Sequence, residues 1–308
     1  MGAQYRRVRA RWLRGTFAQS YSRNRFNRYP CQEFPVTAIG RATARVVPGS
    51  VALSEIDRMA LDLRVTSLTH RYGSVTALHD VSLHVRAGSL LALVGESGSG
   101  KTTLLRCLNR TIEPARGAVF VDGHDVVTLD PVALRRRIGY VPQSGGLLPH
   151  WTVGRNVALV PTLLGHPDPR ADASNALEQF GLPPITFADR YPHQLSGGQR
   201  QRVALARALA AKQGALLLDE SFSALDAISR SDLLDAFASI RASLGFSAVL
   251  VTHDLGEAAR LADTIAVMRA GRIEQLGALH ELLTNPATPY VEALVSRARA
   301  SARILVEA

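Results

Sequence analysis

Residues Gly95–Thr102 read Gly-Glu-Ser-Gly-Ser-Gly-Lys-Thr and are the most informative segment of the sequence about the fold. It follows a continuous apolar run of strand length, Leu90–Val94, and precedes a run typical of a buried helix, Leu104–Leu108. Glycines let a backbone wrap closely around an anion with its N–H groups pointing inward, and a helix start adds its positive dipole end. The segment therefore predicts a phosphate-binding loop between a strand and a helix.

Lysine is rare in this chain, which has 36 basic residues but only Lys101 and Lys212 as lysines. A lysine in the loop indicates that a compact ammonium is needed there rather than a planar guanidinium. In this loop pattern the lysine reaches the β- and γ-phosphates of a nucleotide, and the hydroxyl of Thr102 ligates Mg²⁺.

A second apolar run, Ala215–Leu218, ends in two acidic residues, Asp219 and Glu220. Alone this is a weak signal, because strands often end in solvated acids. Together with the phosphate loop it predicts that Asp219 contacts Mg²⁺ through water and that Glu220 polarises the water that attacks the nucleotide.

The segment Leu195–Gln199 reads Leu-Ser-Gly-Gly-Gln and opens an amphipathic helix that we expect to run to about Ala211. Bare glycine amides and a serine hydroxyl at a helix start make a second phosphate site. One chain thus has two elements that are expected to bind phosphate, the loop at Gly95–Thr102 and the helix start at Ser196. The economical arrangement is a head-to-tail dimer, with each nucleotide between the loop of one copy and this helix of the other.

The composition is that of a globular protein: 46% of the 308 residues are hydrophobic. No apolar run approaches the roughly 18 residues that a membrane helix needs. The two cysteines, Cys31 and Cys107, have no disulfide or metal-site spacing, so we expect a reducing compartment and a buried, apolar Cys107.

The net charge of +10 belongs mostly to the beginning of the chain. Residues 1–58 contain eleven arginines and three acidic residues, a net charge of +8. We interpret them as a disordered extension, or as sequence upstream of a true start at Met59; a targeting, nucleic-acid-binding or lipid-binding arm is the alternative. Because the rest of the chain carries only the remaining +2, no nucleic-acid partner is expected.

From residue 61 onward, short strands alternate with helical stretches, which predicts an α/β fold with a mostly parallel central sheet. Leu61–Leu68 and Val81–Val85 alternate as half-exposed strands do. Strand patterns disappear between about residues 151 and 212, which predicts an inserted helical subdomain. The other predicted strands are Val119–Val121, Ile138–Val141, Ala248–Val251 and Ile265–Met268.

The combined motifs resemble the nucleotide-binding subunits of ABC transporters over residues 61–300, and the Leu195–Gln199 signature is the most specific of them. The resemblance implies a P-loop ATPase domain over residues 59–300 with an antiparallel β subdomain, followed by a tail at 301–308. It also implies ATP and Mg²⁺, a second copy of the chain, membrane permease subunits and, indirectly, a solute-binding protein. The expected location is peripheral, on the cytoplasmic face of the inner or plasma membrane.

The resemblance also assigns residues. Tyr72 matches the aromatic that stacks on adenine, Gln143 the glutamine that contacts Mg²⁺ and water, and His253 the switch histidine at the γ-phosphate. The loop Ser223–Asp226 matches the one that crosses the dimer interface. The implied catalytic residues are Glu220, His253 and Gln143, and the implied metal contacts are Thr102, Gln143 and Asp219. The implied nucleotide contacts are Tyr72, Gly95, Glu96, Ser97, Gly98, Ser99, Gly100, Lys101, Thr102, Thr103, Ser196, Gly197, Gly198, Gln199 and Asp226.

One residue departs from the family pattern. Ser221 stands where the family usually has proline after the catalytic glutamate. Because proline fixes φ, its loss should loosen this turn slightly.

Segments outside these motifs resemble one subfamily, the importers of glycine betaine, choline and related osmoprotectants. They are Asn109–Arg110, Ile112–Pro114, Asp130–Arg136, Gly146–Val153 and Asp189–His193. Import of another small solute, such as an amino acid, is the alternative within transport. A non-transport ABC ATPase acting on DNA or ribosomes is disfavoured, because no heptad repeat separates Lys101 from Leu195 and the chain has a single cassette. A pure scaffold is disfavoured because the acidic and phosphate-binding residues are intact.

Overall fold

The computed structural model describes residues 60–115, 118–223 and 225–306, with side chains to residue 300. The proposed basic extension at 1–58 lies outside these ranges, as do Cys31 and Ala224.

A six-stranded sheet forms the centre of the fold. Its strands are β3 (Leu90–Val94), β6 (Ile138–Val141), β7 (Ala215–Asp219), β8 (Ser247–Thr252), β9 (Thr264–Arg269) and β10 (Arg272–Gly277). Their order across the sheet is β10-β9-β3-β8-β7-β6. Strands β3 and β6 to β9 run parallel, and β10 pairs antiparallel with β9 at the edge. Every residue of β3, β7 and β8 is buried, because helices cover both faces of a parallel sheet; this is why these strands are mostly apolar.

A second, antiparallel sheet has four strands, β1 (Leu63–Tyr72), β2 (Val75–Val85), β4 (Val119–Val121) and β5 (His124–Asp125). Their order across the sheet is β2-β1-β4-β5. Buried and exposed residues alternate along the second half of β2, because one face of this sheet packs inward and the other meets solvent.

Residues 142–214, all of them described, contain no strand and form five helices and one 3-10 turn. Most of their buried apolar side chains, among them Leu177, Phe180 and Val203, belong to a cluster that continues to β7 and β8. The helices of the whole fold are α1 (Lys101–Leu108), α2 (Pro131–Arg137), α3 (Val153–Val157), α4 (Leu159–Leu164), α5 (Pro169–Gln179), α6 (Pro184–Phe187), α7 (Gly197–Leu209), α8 (Ala227–Leu244), α9 (Leu255–Leu261), α10 (Leu279–Thr284) and α11 (Pro289–Val306).

The predicted fold class is confirmed, with differences at the ends of elements. Helix α7 ends at Leu209 rather than near Ala211, and Lys212 takes a left-handed φ of 51° that no helix can continue. Helix α11 continues to Val306, through most of the expected tail. Cys107 is fully buried, and burial raises the pKa of its thiol to about 12. Among the helices of residues 60–306, none has the length and hydrophobicity to cross a bilayer.

Candidate active site

The loop between β3 and α1 closes around the ammonium of its own lysine. Lys101 Nζ donates to the carbonyl oxygens of Gly95 and Glu96 at 2.8 and 2.7 Å, and to Ser99 Oγ at 3.2 Å. The side chain is almost fully buried, and burial lowers the pKa of Lys101, partly offset by the carboxylates of Glu220, Asp219 and Glu96. The loop therefore holds one cation beside three acidic groups.

At two positions of this loop, no residue other than glycine fits, because a Cβ atom would collide with neighbouring backbone. A Cβ at Gly95 would collide with the carbonyl oxygen of Met268 on β9. Gly100 has φ of +99°, and a Cβ there would lie 2.7 Å from the carbonyl oxygen of Ala77. The loop is thus pressed between both sheets, and Gly100 starts α1 without a side-chain cap, so the first amides of the helix remain available to a ligand.

Asp219, the last residue of β7, faces the start of α1. Its Oδ1 accepts a hydrogen bond from Thr102 Oγ1 at 2.8 Å, and its Oδ2 accepts one from Tyr140 Oη at 3.3 Å. The interaction with the Tyr140 side chain is also the largest cause that raises the pKa of Arg106 on α1. Sequence reasoning missed Tyr140, although its place at the end of a strand beside β7 was a usable signal.

Glu220 follows Asp219 and turns away from the strand with a left-handed φ of 47°. Its N–H donates to the carbonyl of Val251 at 3.0 Å, and its Oε2 accepts from Gln143 Nε2 at 2.9 Å. His253 Nδ1 lies 3.8 Å from the same oxygen. A non-glycine residue in this conformation costs of the order of 1 kcal/mol, and such strain clusters at functional sites.

The turn after Glu220 contains the unusual serine. Ser221 is buried, and its Oγ donates to the carbonyl of Val141 at 3.4 Å. The Ser223 side chain and N–H both donate to the carbonyl of Glu220, at 2.9 and 3.3 Å. In the family pattern a proline ring restrains this turn by fixing φ. Here the hydrogen bonds of Ser221 and Ser223 restrain it instead.

His253 is placed by a hydrogen-bonded turn between β8 and α9. Thr252 Oγ1 donates to Glu257 Oε2 at 2.7 Å and accepts from the N–H of Asp254 at 3.0 Å. Burial is the largest influence on Glu257 and raises its pKa. The flanking residues are fixed in this way, while the His253 side chain is 60% exposed and free to meet a ligand.

Oxygen ligands for a hard cation meet at the carboxyl ends of β6 and β7. The adjacent Thr102 and Asp219 oxygens, with the Gln143 amide close to Glu220, are the donor types that Mg²⁺ takes when phosphates and water complete its shell. Within the described ranges, no group of three or more His, Cys, Asp or Glu side chains forms an all-protein metal site. The residues present therefore fit a nucleotide-bound Mg²⁺ rather than a resident metal.

The other predicted nucleotide contacts lie on separate elements. Tyr72 ends β1, is 50% exposed, and stands edge-on to His70 with ring centroids 4.8 Å apart. Asp226 caps α8 by accepting from the N–H of Ser229 at 3.0 Å, and this bond is the main cause that lowers the pKa of its carboxyl.

The signature segment forms a capping box at the start of α7. Ser196 Oγ accepts from the Gln199 N–H at 3.2 Å, and Gln199 Oε1 accepts from the Ser196 N–H at 3.0 Å. Ser196 and Gly197 are exposed, and Gly198 is half-buried beside Leu225. These bonds are internal to the segment, so it presents a pre-formed helix start to the outside of the subunit.

The loop at residues 145–152, after Gln143, is held from beneath by two side chains that the sequence did not single out. Asn156, fully buried, accepts from the Leu148 N–H at 2.8 Å and donates to carbonyls at Leu148, Trp151 and Thr152. Arg207 of α7 donates to the carbonyls of Gly145 and Gly146 at 2.9 and 2.7 Å. The loop is therefore a rigid surface feature.

We predict that Asn156→Ala lowers the free energy of unfolding by about 2 kcal/mol or more, because it leaves several buried loop groups without partners. Urea denaturation measures the change. The exposed Gln179→Ala, in the same helical segment, is the control and should stay within about 0.5 kcal/mol of wild type. Equal stability of the two variants would contradict the role given to Asn156.

Phosphate loops occur in many nucleotide-binding folds. Here the exposed Ser-Gly-Gly start of α7 and an antiparallel sheet beside the parallel core are the features that distinguish the ATP-binding cassettes among these folds. The comparisons with known proteins agree: residues 78–223 match the ABC transporter family.

Curated relatives include the glycine betaine/carnitine/choline transport ATP-binding protein of Bacillus subtilis (strain 168), 43% identical over 74% of this chain and 60% of the relative. The glycine betaine uptake system ATP-binding protein of Escherichia coli (strain K12) is 43% identical over 76% of both chains. A sulfate/thiosulfate import ATP-binding protein of Synechococcus elongatus is 44% identical over 77% of this chain and 68% of the relative.

A solved dimeric ATP-binding cassette, bound to ADP and Pi after hydrolysis, is 31% identical with a TM-score of 0.64, over 70% of this chain and 98% of that one. This chain belongs to the ABC transporter family, and its predicted resemblance to the osmoprotectant-import subunits is confirmed. It spans about 60% of the length of the Bacillus relative.

Proposed function

We propose that this chain binds and hydrolyses ATP to power a membrane importer. The observation that carries the proposal is the position of the Glu220 carboxylate, held 2.9 Å from the Gln143 amide and 3.8 Å from His253, at the sheet edge that also bears Lys101 and Asp219. On one side, this edge offers the Lys101 ammonium and the first amides of α1 for binding phosphates. On the other side, it offers the Glu220 carboxylate for binding a water molecule.

Lys101 and the amides at the start of α1 would bind the β- and γ-phosphates. Thr102 and Asp219 would hold Mg²⁺, which when bound neutralises charge on the phosphate oxygens. Tyr140 fixes the second oxygen of Asp219, so the carboxylate keeps its orientation toward Thr102.

Glu220 would accept a proton from a water molecule as the water oxygen attacks the γ-phosphorus and the bond to the ADP oxygen breaks. Gln143 orients this carboxylate by donating to Oε2. His253, exposed beside the same oxygen, would donate to the γ-phosphate. The products are ADP and phosphate.

A second copy of this chain would complete the site. The capping box uses the N–H groups of Ser196 and Gln199, whereas the amides of Gly197 and Gly198 take no part in it. Ser196 and Gly197 are exposed, and a helix start of this kind binds anions. In a head-to-tail dimer the γ-phosphate would join Lys101 of one copy to Ser196–Gly198 of the other. The dimeric state of the related ADP-bound cassette supports this arrangement.

The loop after Gln143 is the proposed contact with the permease. It is rigid through Asn156 and Arg207, and it exposes Leu148. Beside it lies a cavity of about 220 Å³ between β6 and the helical segment, lined by Tyr140, Val160 and Arg207 among others. We place the subunit on the cytoplasmic face of the membrane, where such a permease would present its loops.

The proposed cargo is an osmoprotectant such as glycine betaine, choline, carnitine or proline betaine, delivered by a solute-binding protein. The glycine betaine relatives support this, while the sulfate relative of equal identity keeps other small solutes as the second candidate. Reconstitution with a permease and a solute-binding protein that copurify with this chain tests the proposed cargo: radiolabelled glycine betaine should enter the liposomes when ATP is supplied. Uptake of sulfate or an amino acid alone would favour the second candidate.

ATP turnover by the purified chain tests the enzymatic part. We expect Mg²⁺-dependent release of phosphate that is stimulated by the reconstituted permease. Turnover stimulated by DNA or ribosomes instead would favour a non-transport ATPase, and no turnover under any condition would contradict the proposal.

A further inference from the structure

Helix α11 reaches the phosphate loop through one side chain. The Glu96 N–H donates to Tyr290 Oη at 3.3 Å, across 194 positions of the chain. No motif of the nucleotide site includes Tyr290. It is the second residue of α11, the last helix in the chain order given above.

The N–H that Tyr290 binds shares a peptide plane with the Gly95 carbonyl, which accepts from Lys101 Nζ at 2.8 Å. Because a peptide unit is planar, its N–H and carbonyl turn together. A single rigid unit is therefore held at one end by the tyrosine hydroxyl and at the other by the lysine that would bind phosphate.

The next carbonyl, that of Glu96, also accepts from Lys101 Nζ, at 2.7 Å. With Ser99 Oγ, the three N–H groups of the ammonium are directed at three loop oxygens. A phosphate that binds Lys101 must replace at least one of these contacts, so the orientation of the Gly95–Glu96 peptide bears directly on nucleotide affinity.

Tyr290 is itself held firmly. The Arg269 guanidinium lies 4.8 Å from the centroid of its ring. One residue further on, Val291 is fully buried in a cluster with Val94 of β3 and Leu255 of α9. The hydroxyl thus comes from a helix packed on the same strand that leads into the loop.

We propose that Tyr290 is a positioning residue that sets the affinity of this chain for ATP by fixing the Gly95–Glu96 peptide. The inference rests on the proposed function, since it concerns the same site. Tyr290 touches neither Glu220 nor Gln143, so its hydroxyl acts on nucleotide binding and not on the hydrolytic step.

The test is Tyr290→Phe, which keeps the ring and its contact with Arg269 and removes only the hydroxyl. We expect the Kd for Mg-ATP, measured by titration calorimetry on the full chain, and the KM to rise about two- to tenfold, the value of one hydrogen bond, while kcat is unchanged. The matched control is Val295→Ala, which weakens the packing of α11 at a side chain buried in the same cluster but five residues beyond Tyr290. It should lower the Tm and leave the Kd and KM at their wild-type values.

The outcomes separate the inference from the function on which it rests. Wild-type affinity in Tyr290→Phe, with ATP bound normally by the wild type, would overturn the positioning role alone. An equal rise of KM in Val295→Ala would also overturn it, because the effect would then come from helix packing in general. A wild-type chain that binds no ATP would instead contradict the proposed function.

Discussion

Glu220→Gln should reduce steady-state ATP hydrolysis by at least about a hundredfold, because a positioned general base typically contributes that much or more. Glutamine has nearly the same shape and still accepts from Gln143 Nε2, so the site should keep its geometry. ATP affinity should be preserved, since Lys101 and the amides of α1 are untouched. The closed dimer should accumulate, because the two copies separate only after ATP has been hydrolysed.

Phosphate release measures the first effect, and size-exclusion chromatography with ATP measures the dimer. Glu178→Gln, an exposed glutamate on α5, is the matched control and should hydrolyse ATP at the wild-type rate. Turnover within a few fold of wild type in Glu220→Gln would show that another group accepts the proton.

Mixing two inactive variants should restore ATP hydrolysis. Lys101→Ala removes the ammonium of the phosphate loop, and Ser196→Arg places a bulky cation at the start of α7, so neither variant alone should turn over ATP. In a head-to-tail dimer, a mixed pair has one site with both lesions and one site with none. Random pairing then gives up to about one quarter of wild-type activity.

The mixture is compared with each variant alone at the same total concentration. A mixture as inactive as its components would mean that Lys101 and Ser196 act within one chain, against the proposed dimer. A pre-formed mixed dimer, isolated with two different affinity tags, should show about half the wild-type rate and removes the dependence on random pairing.

Strands buried on both faces were the easiest features to predict. The bounds of β3 match the predicted Leu90–Val94, since a parallel strand between two helical layers must be apolar throughout. Edge elements were harder. Strands β5 and β10 were not predicted, because β5 has two residues and β10 is half-exposed and mixes charged, polar and apolar residues.

The phosphate loop, the acidic strand end and the signature are local in sequence, so their residues could be named before the structure. What joins them is not local. The contacts of Tyr140 with Asp219 and of Tyr290 with Glu96 span 79 and 194 positions and depend on strand order and helix packing. Asn156 was missed because its importance comes from full burial under a loop, which a lone polar residue in a helical pattern does not reveal.

The hydrogen bond between Gln143 and Glu220 connects the carboxylate that we propose as proton acceptor to the residues just before the stiff loop at 145–152. Suppose that a membrane protein binds this loop and thereby changes the affinity of the chain for a nucleotide. Thermodynamic linkage then requires the nucleotide to change the affinity for the membrane protein by the same factor. The Gln143 side chain would thus couple the two events in both directions. The rate of ATP hydrolysis would respond to binding of the transported solute, and release of the solute would respond to the bound nucleotide.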